Sequence, residues 1–134
     1  MRCSNWTVKL TEFVKQRRDV PFEWGTNDCC LFVSDAALAM TGIDPAVDFR
    51  GKYKTELGAM RAIKKQGYDS IESVLTGVFG EPVSKLSVRR GDVVLFENAG
   101  RDIAGLMFGD VLAPGENGIE AFSPLEIKTV WRVD

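Results

Sequence analysis

The segment Phe22-Glu23-Trp24-Gly25-Thr26-Asn27-Asp28-Cys29-Cys30-Leu31-Phe32 holds the residue types best suited to chemistry in this chain. A glycine-containing loop delivers a cysteine into what reads as the first turn of a helix. Backbone N–H groups have no helical partner there, and the helix dipole favours negative charge. Both effects stabilise a thiolate, which is why nucleophilic cysteines are often placed at helix starts. Asp28, as the helix cap, opposes this with its own negative charge. The same residues admit a second reading, in which Cys29 and Cys30 are small apolar side chains that fill space.

The rest of the composition narrows the chemistry. The chain has no histidine among its 134 residues. A thiol therefore lacks the imidazole that takes its proton near neutral pH and later donates one to the leaving group. Three cysteines, two of them adjacent, do not form a disulfide framework. Three cysteines without histidine also fall short of the four ligands of a structural zinc site, so neither metal nor cofactor is expected. No glycine-rich phosphate loop is present. A net charge of -2 and a pI near 5.2 give no basic surplus for nucleic acid. No apolar run approaches the roughly 20 residues of a membrane span, and the start lacks an apolar export signal.

The elements that must position Asp28 and Cys29 read as helices first and strands second. Asn5 can cap a helix to about Arg17 with Trp6, Leu10, Phe13 and Val14 on one face. Asn27 or Asp28 caps the cysteine-bearing helix, whose apolar stripe is Leu31, Phe32, Ala36, Ala37 and Met40, and which Thr41-Gly42 ends. Thr55 caps a third helix with Ala59, Met60 and Ile63 inward. Asp69 and Glu72 resemble a capping box for a fourth. After Pro82, Val93–Phe96, Ile103–Phe108, Ile119–Phe122 and Ile127–Val133 read as strands, with turns at Asn98–Arg101, Gly109-Asp110 and Pro114–Gly118. This order implies one α+β domain over residues 1–134: an N-terminal helix in 1–20, the cysteine-bearing and further helices in 21–80, and an antiparallel sheet in 88–134.

The pattern Trp24-Gly25-x-x-Asp28-Cys29, the later Gly91-Asp92-Val93-Val94 and the hairpin behind it resemble the NlpC-type cell-wall peptidase superfamily, which are papain-like thiol hydrolases. The similarity is closer to a small uncharacterised family of that superfamily from phage and prophage tail-gene clusters. Thr41-Gly42-x-Asp44-Pro45, Arg50-Gly51-x-Tyr53 and the terminal Trp131-Arg132-Val133 carry it further. The resemblance implies a papain-like fold of N-terminal helices packed on a small antiparallel sheet. Cys29 falls on the nucleophile position, with Cys30 an extra thiol facing elsewhere. Ile103 falls where the base histidine belongs, and Glu120 is the nearest match to the third, polar position. Trp24, Gly25, Asp28 and Cys30 are the neighbours of the cleft.

Isoleucine can neither take nor give a proton, so the resemblance implies a peptidase fold that has lost its peptidase. The expectation is a virion structural protein at a phage tail tip or baseplate, made in the host cytoplasm without a signal peptide, with other tail proteins as partners. The alternative is a thiol hydrolase, a peptidoglycan endopeptidase or amidase, using Cys29 during cell entry. A third reading keeps the groove for binding peptidoglycan or a small acyl ligand without turnover.

Overall fold

The computed structural model describes all 134 residues. It is an α+β arrangement of four helices and a five-stranded antiparallel sheet. The helices are α1 (Trp6–Arg17), α2 (Cys29–Thr41), α3 (Glu56–Lys65) and α4 (Ile71–Phe79). The strands are β1 (Val93–Asn98), β2 (Arg101–Phe108), β3 (Asp110–Gly115), β4 (Gly118–Phe122) and β5 (Ile127–Trp131), in the spatial order β4-β3-β2-β1-β5.

Alternation along β1 builds two cores. Val93 and Leu95 point into the helix layer, where they meet Phe13, Phe32, Leu75 and Trp131. Val94 and Phe96 point the other way, onto Val111, Ala113, Ile127 and Val130. Val93 through Phe96 are fully buried on both faces, which is why they read as an unbroken apolar run. Helix α2 is the central helix. Phe32, Val33, Ala36 and Met40 are at or near zero exposure, and Gly42 ends it in the left-handed conformation that glycine adopts without penalty.

Several expectations are corrected. Asn5 stands at the start of α1, but its side chain makes no capping bond. The box that opens α4 is formed by Ser70 and Ser73, one residue beyond the Asp69/Glu72 pair, each hydroxyl accepting from the other's backbone N–H. Strand β3 lies where turns were expected. Only Val111-Leu112-Ala113 separates Gly109-Asp110 from Pro114-Gly115, so turn residues at both ends hide a strand whose middle is buried.

Gly91-Asp92 is an anchor for the two ends of the chain. The fully buried Asp92 carboxylate accepts from Arg2 Nη2 at 3.3 Å, Arg132 Nε at 3.1 Å and the Arg89 backbone N–H at 2.8 Å. A buried charge is tolerated only when paired in this way.

A candidate thiol site in an apolar cleft

Asp28 organises the start of α2. Its Oδ1 accepts from Leu31 N at 3.0 Å, which satisfies one of the unpaired donors of the first turn. Its Oδ2 accepts from Gly25 N at 3.0 Å and from Tyr53 Oη at 2.6 Å. One carboxylate, 2 % exposed, thus ties together the helix start, the Trp24-Gly25 loop and the segment before α3. Gly25 is required at its place: its φ is +81°, and an added Cβ would lie 2.1 Å from the Tyr53 carbonyl oxygen.

A second layer of charge holds the loop from behind. Arg17 Nη2 pairs with Asp35 Oδ2 at 2.6 Å, and its Nη1 donates to Asn27 Oδ1 at 3.2 Å. Asn27 in turn donates to the Val20 and Pro21 carbonyls. Arg50 bridges Asp35 and Asp44, and this raises its own pKa and lowers that of Asp44. The Arg50–Tyr53 segment is therefore a brace: its arginine grips α2 and its tyrosine closes on the cap.

Cys29 and Cys30 follow the cap, both half-buried. The first backbone bond of α2 runs from Phe32 N to the Asp28 carbonyl at 2.8 Å, so the Cys29 and Cys30 N–H groups precede the helical ladder. The Cys29 pKa is lowered chiefly by donation from the Cys30 thiol. Burial opposes this, donation from the Ala104 N–H assists it, and the Asp28 charge opposes it. The Cys30 pKa is raised for the complementary reason: its proton is held by Cys29, and burial and a neighbouring thiolate disfavour a second charge. Cys30 is therefore a partner of Cys29 inside the cleft, which corrects the expectation that it faces elsewhere. Burial and the Asp28 charge also push the Tyr53 phenol far above its ordinary value, so Tyr53 stays a donor.

The Ala104 N–H is free for this role because β2 and β3 part company there. Their pairing runs from Phe108↔Asp110 to Leu106↔Leu112 and does not reach Ala104.

Both thiols line a cleft of about 480 Å³ between α2, α3, α4 and the start of β2. Its walls are mainly apolar and include Trp24, Met60, Ile63, Val74 and Phe79. Met60 and Ile63 were expected to face inward. They face the cleft, and Met60 remains 54 % exposed. The apolar faces of α3 and α4 are the part of the site that was missed. The amphipathic spacing marked them, but it does not separate a groove wall from a core.

Of the expected site residues, Trp24, Asp28, Cys29, Cys30 and Ile103 line this cleft, and Gly25 shapes its loop. Ile103 is half-buried; it borders the cleft and also rests against the Phe96 side of the sheet. Glu120 is not brought to the site. It lies on β4, with β3 inserted between that strand and β2, and it is exposed. The strand that follows β2 in space is β3, whose existence the sequence concealed. No helix is long and apolar enough to cross a membrane.

Residues 1–133 match a family described as a domain of unknown function, DUF6950. The chain belongs to that family. No curated protein matches it. In this DUF6950 domain the chemistry available at the cleft is bounded by its groups. A thiol with a favoured thiolate can attack an electrophilic carbon. The nearest carboxylate, Asp28, is already committed to three donors. No imidazole exists to move a proton.

Proposed function

We propose that this DUF6950 domain is a papain-like, NlpC-type fold that has lost peptidase turnover and works by binding, as a tail-tip or baseplate component of a bacteriophage virion. The observation that carries the reading is that Cys29 and Ile103 line one cleft in a chain without histidine. General acid–base help is worth about 10²–10⁴-fold, and an amine leaving group depends on it. The apolar cleft supports binding, since a groove of this size and lining accommodates a ligand or a partner's side chains. The tail assignment rests on the resemblance of Trp24-Gly25, Asp28-Cys29 and Gly91-Asp92-Val93-Val94 to tail-cluster proteins.

One observation favours a second reading. The lowered pKa of Cys29 is what a thiol hydrolase needs in its nucleophile. A peptidoglycan endopeptidase or amidase would then draw its base from a partner chain. Phage carrying Cys29→Ala separates the two. The binding reading expects the chain in purified tails, with normal assembly and normal infectivity. Normal assembly with lost infectivity overturns it in favour of the hydrolase.

A further inference from the structure

The cleft combines three features: a thiol at its floor, mainly apolar walls, and no histidine to move a proton. Together they select among leaving groups. An amine must be protonated as it departs, and the site has no acid for that. A thiolate departs unaided, because its conjugate thiol has a pKa of only about 8.5. Attack by the Cys29 thiolate on an acyl thioester therefore balances without help. A bond forms between the Cys29 sulfur and the acyl carbon. The donor's own carbon–sulfur bond breaks, its electron pair leaves with the donor sulfur, and that thiolate takes a proton from water.

The next step is where the site stops. Hydrolysis of the new thioester needs a base for water. Asp28 is filled by Gly25 N, Leu31 N and Tyr53 Oη, Glu56 at the rim is paired with Arg101 and Asp102 with Lys128, and Asp69 is exposed to solvent just before α4. The acyl group stays on the protein.

We propose that Cys29 is an S-acylation site, which takes a long-chain fatty acyl group from a thioester donor and retains it with the chain laid along the cleft. The occupant follows from the walls. Phe49, Met60, Ile63, Val74, Val78 and Phe79 present hydrocarbon and no hydrogen-bonding group, which suits an alkyl chain and not a peptide backbone. The volume of about 480 Å³ lies within the range of about 300–1,000 Å³ of small-molecule pockets. This inference rests on the reading of the cleft as a thiol site without a base.

The test incubates the full chain at neutral pH with palmitoyl-coenzyme A and, in parallel, with acetyl-coenzyme A. Intact mass, hydroxylamine sensitivity and peptide mapping identify the adduct, and a thiol titration counts released coenzyme A. The expected result is one palmitoyl group per chain on Cys29, one equivalent of coenzyme A and no accumulating free palmitate. Each methylene buried favours the long chain by about fourfold, so its rate should exceed that of acetyl by at least about tenfold. Cys29→Ala should abolish the adduct. Met60→Asp, at a side chain exposed enough to spare the fold, should bring the palmitoyl rate down towards the acetyl rate. No adduct, an adduct on Cys3 instead, or equal rates for the two donors overturns the inference and leaves the binding reading standing. Repeated release of coenzyme A and palmitate overturns both together.

Discussion

Asp28→Ala is the substitution that most severely tests how the site is held. The carboxylate is 2 % exposed and accepts from Leu31 N, Gly25 N and Tyr53 Oη. Loss of the helix cap alone costs about 1 kcal/mol. The Tyr53 hydroxyl loses a bond to a charged acceptor, worth about 1.5–3 kcal/mol, and the Gly25 N–H is left without a partner. These terms share one residue and do not simply add, so the expected loss is about 3–5 kcal/mol. For a domain of this length that corresponds to a fall in Tm of about 10–18 °C. Asp28→Asn is the control. Its Oδ1 still caps Leu31, but its amide meets the Gly25 donor, so about 1–3 kcal/mol should be lost. Urea unfolding followed by circular dichroism and by tryptophan fluorescence measures both variants, and coincident transitions check two-state behaviour. A loss below about 1 kcal/mol for Asp28→Ala would refute the claim that this carboxylate ties the loop, the helix and the Tyr53 segment together.

Three further outcomes are expected. Asp92→Ala should destabilise the fold by about 2–4 kcal/mol, less than a fully buried pair would lose because Arg2 and Arg132 reach solvent, and urea unfolding measures it. Alkylation followed by mass spectrometry should divide the two cleft thiols by pH. Cys29 should react from below the ordinary thiol value of about 8.5 and Cys30 only above it. Cys30→Ala removes the donor that lowers Cys29, so the Cys29 profile should move to higher pH; an unmoved profile contradicts the assigned cause. The linkage signs differ. Ionisation of Cys29 adds stability above its unfolded pKa that is lost as pH falls through the lowered folded value. The raised Cys30 makes the fold less stable as pH climbs past the unfolded value.

The α+β order, the cap at Asp28, the helix stop at Gly42 and the buried run Val93–Phe96 were legible because each is a local rule written in adjacent residues. Strand β3 was not legible, since Gly109-Asp110 and Pro114-Gly115 carry turn chemistry on either side of three apolar residues. With β3 concealed, β4 reads as the strand next to β2 and Glu120 as its polar residue, although β3 lies between them. The cleft itself is a product of packing. Met60 and Ile63 have the spacing of core residues, and only the placement of α3 opposite α4 turns their face into a wall. Long-range bonds such as Tyr53 to Asp28, or the Ala104 N–H towards Cys29, leave no trace in the spacing of either partner.

If Cys29 lost its turnover with the histidine that the resemblance places at Ile103, an imidazole at that position should restore it. The variant Ile103→His tests this most directly, with hydrolysis of an activated thioester followed beside the parent chain and beside Ile103→His combined with Cys29→Ala. Ile103→His should raise hydrolysis by about 10²–10⁴-fold. The rate should climb through the imidazole range near 6.5, and the gain should vanish without Cys29. Folded Ile103→His with an alkylatable Cys29 and no gain in hydrolysis would contradict this expectation.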